Sequence, residues 1–252
     1  MSFPPFHWWR TVFFLIPAIA AYTIVLGTAS VVSMLFDRRG FFAHGCARAW
    51  SRLILGTTGV HVEATGLDAL TPGRTYIFVS NHQSIYDIPI VFGSLPYQVR
   101  IISKKSIGRV PFLGWHLQRT GHLLVDRRNP DPRAILRQWK DLLTKGLSLI
   151  VFPEGTRSVD GRIGRFKAGG FLLAIQAGLP VVPVAISGSR HVMLKDRLMV
   201  KPGKVTLVVR PPIETAGRYE ETVQEARRLG NDVRDQIREI VEGVAGAADG
   251  TR

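Results

Sequence analysis

The sequence predicts an α/β domain joined to an N-terminal membrane-associated helical segment, and three observations carry that reading. Beyond residue 57, short β-branched runs alternate with stretches of helical periodicity. Residues 11–36 include no charged side chain. Two of the expected strands end in polar runs, at 80–87 and 153–158, where a rigid sheet can aim catalytic groups that a loop leaves accessible.

Composition narrows the function classes. The chain has 252 residues, of which 46% are hydrophobic and 21% charged. That apolar content argues against disorder. A single cysteine, Cys46, excludes a disulfide scaffold and a cysteine-ligated zinc cluster. The net charge of +14 suits polyanions, anionic phospholipid surfaces or phosphorylated substrates.

The N-terminal run comes first. As a helix rising ~1.5 Å per residue, residues 11–36 would cross a bilayer core of roughly 30 Å with some tilt. Phe6, Trp8 and Trp9 precede it, as aromatic rings do at headgroup depth. Residues 41–55 place Phe42, Cys46, Ala49, Trp50 and Leu53 at helical spacing, which suits a helix lying in the membrane interface. Three topologies fit: a single span, a two-helix hairpin over 11–56 that enters one leaflet, and a signal peptide cut near Gly27–Ser30. For a span, Arg10 lies on one side and Arg38, Arg39, Arg48 and Arg52 on the other. The positive-inside bias then puts the remainder, and Cys46, on the cytoplasmic face.

The expected organisation is a membrane-anchoring segment at 1–57, an α/β domain at 58–245 and a flexible tail at 246–252. Strands are expected at 60–64, 76–79, 99–102, 122–125, 149–152, 181–186 and 205–209. Helices are expected at 133–143 and 166–177, the second closed by Gly178 and Pro180, with a final amphipathic helix through Ala226, Leu229, Val233 and Ile237.

Chemistry concentrates in three stretches. His82 and Asp87 follow the second expected strand, but five residues along a regular helix would set them about 140° apart, so they meet only across a turn. Joined, Asp87 would fix one imidazole tautomer and leave the other nitrogen as a general base; a purely structural hydrogen bond is the alternative. No Gly-x-Ser-x-Gly elbow supplies a nucleophile, and Ser84 better suits a loop-positioning role, so the base should act on a substrate hydroxyl. At 152–158, Gly155 permits a tight turn, Arg157 offers a planar fork for phosphate, and Thr156 and Ser158 add donors. Glu154 either braces this turn through a nearby arginine or meets the substrate. Between the two lie Lys104, Lys105 and Arg109 in a basic region, 100–140, that also holds Arg100, Arg127 and Arg128. A solvated or membrane-facing surface is the expectation for most of these cations. Phe112, Leu113 and Trp115 would enter lipid or line an apolar groove.

Together these residues resemble the glycerolipid acyltransferases. The run from Asn81 to Asp87 and the run from Phe152 to Ser158 look like that family's first and third signature blocks. Lys104, Ile107, Val110, Pro111 and Gly114 are similar to the second block, and 179–184 to the fourth. Four blocks in family order cover roughly residues 75–190. The resemblance implies an α/β acyltransferase sheet flanked by helices, a His82–Asp87 catalytic dyad, Lys104 and Arg157 at the acceptor's phosphate, and an acceptor site shaped by Glu154, Gly155 and Thr156. It implies acyl transfer from acyl-CoA or acyl-carrier protein to the sn-2 hydroxyl of 1-acylglycerol-3-phosphate, with no cofactor or metal. Ser106 departs from the acidic residue common there, so the acceptor could instead be glycerol-3-phosphate or another lyso-lipid. Two other classes explain less. A metal-dependent hydrolase lacks a second histidine at ligand spacing, and a non-catalytic membrane or nucleic-acid binder leaves both polar loops without a purpose.

Overall fold

The structure, a computed structural model, describes residues 4–37, 39–126 and 132–249. Seven strands form one sheet in the order β1-β7-β6-β2-β5-β3-β4. These are β1 (Val60–Thr65), β2 (Ile77–Ser80), β3 (Val99–Lys104), β4 (Leu123–Val125), β5 (Ser148–Val151), β6 (Val181–Ser187) and β7 (Gly203–Val209). All neighbouring pairs are parallel except β6 with β7. Every expected strand is present, with ends displaced by a residue or two.

Helices cover both faces, as parallel strands require. The chain begins with α1 (Phe6–Arg10), a π-helical turn (Thr11–Leu15), α2 (Ile16–Ser33) and α3 (Phe41–Thr58). Then follow α4 (Asp87–Ser94), α5 (Leu113–Arg119), α6 (Pro132–Thr144), α7 (Gly169–Gln176), α8 (Ser189–Val192) and α9 (Val223–Asp249). The pleat of β2 divides its side chains: Phe78 enters the core shared with Ile54, Leu55, Ile90 and Phe92, whereas Ile77 and Val79 enter the one shared with Trp139, Phe171, Leu229 and Val233. The final helix runs to Asp249, beyond residue 246 where a tail was expected. The helix expected from 166 starts at Gly169, leaving Phe166 and Lys167 in the preceding loop.

The N-terminal helices form an antiparallel hairpin that lies along the domain. Asp37 closes its turn by accepting the Phe42 and Gly40 amides at 2.7 and 3.0 Å. Arg10 donates to the Thr58 carbonyl at the end of α3 (2.8 Å), and the Trp50 indole donates to Thr23 (2.9 Å). Both ends of the first helical stretch also touch the α/β domain. The Val200 amide donates to Thr11 Oγ1 (3.0 Å), Leu15 is fully buried in the core, and Ser30 Oγ meets His116 Nδ1 at 2.5 Å. Gly27 is required at the crossing with α5, because a Cβ there would stand 2.9 Å from that of Phe112. Phe6, Phe13, Phe14, Val25, Leu35 and Phe36 remain exposed.

One expectation about the basic stretch is corrected. Arg100 is not on a solvated face: it is 2% exposed and donates to the Thr120 and Val99 carbonyls. Leu113 lines a cavity and Phe112 covers Gly27, whereas Trp115 is exposed. Arg127 and Arg128 lie outside the described residues.

Candidate active site

β2 occupies the centre of the sheet with β5 and β6 on either side, all three parallel, so their C-terminal ends open together at one edge. The polar loops after β2 and β5 are therefore neighbours. Asn81 anchors the first by pairing with both backbone groups of Ile186 on β6, at 2.8 Å each way. A turn then brings His82 back over the first residue of α4. His82 Nδ1 and Asp87 Oδ2 stand 2.8 Å apart, and the same oxygen accepts the amides of Gln83 (2.8 Å) and Ser84 (2.9 Å). Asp87 is fully buried, whereas the His82 side chain is 15% exposed and borders the cavity. With Nδ1 held by the carboxylate, Nε2 is the nitrogen left for proton transfer.

The loop after β5 grips the same histidine. Glu154 Oε1 accepts the His82 amide (2.8 Å), its Oε2 accepts the Gly164 amide (2.9 Å), and the Ser158 amide donates to the His82 carbonyl (2.8 Å). Glu154 thus ties the two loops together through backbone groups rather than through an arginine. Burial raises its carboxyl above the ordinary range, against the pull of those two amides. Phe152 stacks on the imidazole, with ring centroids 4.4 Å apart. Ser84 is buried, and its hydroxyl donates to the Met193 carbonyl (2.8 Å), which makes it a positioning residue for the loop after α8.

Next to the dyad lies a cavity of about 930 Å³. Its apolar part is bounded by Leu26, Trp50, Ile88, Phe92 and Leu113, so the hairpin and the domain build it jointly. Its polar part holds Lys104, Arg157, Lys167 and Lys195 with Gly155 and Thr156. The site residues anticipated from sequence are thus gathered in one place. Lys167 and Lys195 had not been anticipated. Lys167 follows the third block within the same loop and packs over Gly155, where a Cβ would meet its Nζ at 2.8 Å. Gly155 also has φ +73°, which a side chain would disfavour. Lys195 comes from a distant loop with no local pattern to mark it.

A second polar cluster lies between hairpin and domain. His44, His116 and His122 surround Arg100, and the rings of His116 and His122 are 5.5 Å apart. Burial, followed by the Arg100 charge, lowers His44 and His116 to about 4 and His122 well below its usual range. Arg100 itself is lowered to about 10 by burial.

Comparison with known proteins supplies the family. The sequence pattern of the Acyltransferase family matches residues 61–187, half of the chain, and includes the His82–Asp87 turn and the loop from Glu154 to Arg157. The chain belongs to the acyltransferase family. Among its relatives, the chloroplastic 1-acyl-sn-glycerol-3-phosphate acyltransferase of Brassica napus is 34% identical over 209 residues, 80% of this chain and 60% of that protein. The 1-acyl-sn-glycerol-3-phosphate acyltransferase of Pseudomonas aeruginosa is 29% identical over 223 residues, 86% and 85% of the two chains. The plant relatives are longer, and this chain spans about three fifths of their length. The crystal structure of PlsC, the 1-acyl-sn-glycerophosphate acyltransferase of Thermotoga maritima, superposes with a TM-score of 0.78 at 25% identity, covering 94% of this chain and 96% of that one.

Proposed function

We propose that this acyltransferase moves an acyl group from an acyl thioester, acyl-CoA or acyl-carrier protein, to the free sn-2 hydroxyl of 1-acylglycerol-3-phosphate, forming phosphatidate. The observation that carries this reading is the His82–Asp87 dyad beside a cavity lined by both cationic and apolar side chains. A lysophosphatidate has the matching halves, a phosphomonoester and an alkyl chain. Lys104 and Arg157 take the phosphate, and the apolar cavity takes acyl chain. The names of the relatives point to the same acceptor.

In the reaction, His82 Nε2 takes the hydroxyl proton as the acceptor oxygen attacks the thioester carbonyl. Asp87 stabilises the imidazolium that results. The tetrahedral adduct collapses, the C–S bond breaks, and the departing thiolate recovers the proton. A new C–O ester bond replaces the thioester, and neither a covalent acyl-enzyme nor a cofactor or metal takes part.

The hairpin supplies the setting. Its first helical stretch, Phe6–Ser33, is long and apolar enough to span, yet its contacts with the domain extend from Thr11 to Ser30. Contacts at both ends of this stretch favour a helix that stays along the domain over one that leaves it to cross a bilayer. The hairpin therefore lies in one leaflet with its exposed aromatic face in lipid, at the depth from which the acceptor is drawn. The catalytic domain then faces the cytoplasm, where thioester donors are found. Membranes carrying the wild-type protein, given lysophosphatidate and labelled acyl-CoA or acyl-carrier protein, should form phosphatidate with one donor or both. Acylation of glycerol-3-phosphate or another lyso-lipid in its place would overturn the acceptor assignment.

A further inference from the structure

The geometry points to the loop between α8 and β7 as part of the acceptor's anion site, with Lys195 a further phosphate-binding residue and Asp196 a counter-ion that holds Arg157 until a phosphomonoester displaces it. This inference rests on the acceptor assignment above. The loop is fastened beside the dyad at several points. Ser84 Oγ donates to the Met193 carbonyl (2.8 Å), the Lys201 amide closes its base on the Val192 carbonyl (2.9 Å), and the Val200 amide reaches Thr11 (3.0 Å). Between those anchors, Lys195 Nζ donates to Thr156 Oγ1 (3.3 Å) and to the Arg157 carbonyl (3.1 Å). An ammonium has three protons, so one remains for a ligand. Lys195 also lines the cavity that holds His82, Lys104 and Arg157.

Asp196 is the second observation. It adopts φ +59°, a left-handed conformation that few side chains other than Asn and Asp accept readily, and this turns its carboxylate to Arg157 Nη2 at 3.4 Å. The Asp196 side chain is 76% exposed and the Arg157 side chain 27%. A long single contact at an exposed carboxylate is a weak pair. A phosphomonoester carries close to two negative charges and can bond the guanidinium bidentately, so it outcompetes the aspartate. Acyl transfer leaves the phosphate on the product, so the return of Asp196 to Arg157 also assists release of phosphatidate.

The test uses the full chain in detergent, with inorganic phosphate as the binding probe in calorimetry and lysophosphatidate or neutral monoacylglycerol as the kinetic acceptors. Lys195→Ala should weaken phosphate binding and raise the lysophosphatidate KM, each by about tenfold, with kcat and the monoacylglycerol KM unchanged. Lys195→Arg should restore most of both losses. Asp196→Asn, which keeps the left-handed backbone, should tighten phosphate binding, lower the lysophosphatidate KM and strengthen inhibition by phosphatidate. Unchanged phosphate affinity in Lys195→Ala, an equal rise in KM for monoacylglycerol, or weaker phosphate binding in Asp196→Asn would each overturn the inference. Phosphate responses of the expected sign without turnover of lysophosphatidate would instead refute the acceptor assignment and leave the anion site standing.

Discussion

One carboxylate oxygen of Asp87 receives three donors, the His82 ring and two amides, and that concentration makes the turn possible. Asp87→Asn places an amide among donors and disturbs both the turn and the imidazole tautomer. Turnover should fall by about 10²–10⁴-fold in a steady-state assay, with membrane attachment retained. Glu154 works through backbone as well. Glu154→Ala leaves the His82 and Gly164 amides without their acceptor, and each such loss costs about 1–3 kcal/mol where the group stays buried. A lowered thermal midpoint together with reduced kcat is expected, and an unchanged midpoint would contradict the bracing role. From spacing alone the pairing of His82 with Asp87 was legible only as a possibility, because a five-residue interval is silent about a turn; the resemblance to the acyltransferase signature blocks is what implied it. Lys195 was not legible at all: it enters the site through a tertiary contact between loops separated by two helices and a strand.

At the level of elements, the histidines between hairpin and domain make the interface sensitive to acid. An unfolded histidine binds a proton near pH 6.5, whereas His44 and His116 in the fold stay neutral down to about 4. The unfolded chain therefore binds more protons in that window. Stability is fully present above about pH 6.5 and falls as pH drops toward 4, by about 1.4 kcal/mol per pH unit for each fully neutral histidine. Thermal midpoints measured from pH 7.5 to 5 should decline, and His116→Gln should reduce the slope; a flat wild-type profile would contradict this account. Strands were legible because parallel strands buried on both sides appear as uninterrupted β-branched runs. Their ends were less so, since Ser80 at the end of β2 and Ser148 at the start of β5 are buried polar residues that hydropathy passes over. Ahead of helix α7, the Lys167 amide is bonded to the Pro153 carbonyl of the site loop, while Phe166 stacks on Phe171 in the core.

For the whole molecule, hydropathy alone could not separate a span from a hairpin, because both need the same long apolar helix. Contacts favour the hairpin: Thr11 on Val200 and Ser30 on His116 hold the first helix against the domain, and Arg10 ties it to the end of α3. Cysteines introduced at Phe6 and Leu35, both exposed, should therefore react with an impermeant maleimide from the same face of sealed vesicles. Reaction from opposite faces would establish a span. The native Cys46 is a poor reporter of sidedness, since it is 7% exposed and its thiol is raised by burial.

Deletion of the proposed base tests the account most directly. Wild-type and His82→Ala proteins in matched membranes would be given lysophosphatidate and a labelled acyl thioester, with phosphatidate followed over time and lysophosphatidate binding measured in parallel. The expected result is acceptor affinity within about threefold of wild type and turnover lower by about 10²–10⁴-fold. His82→Ala turnover close to that of wild type would show that another group takes the proton and that the dyad is structural.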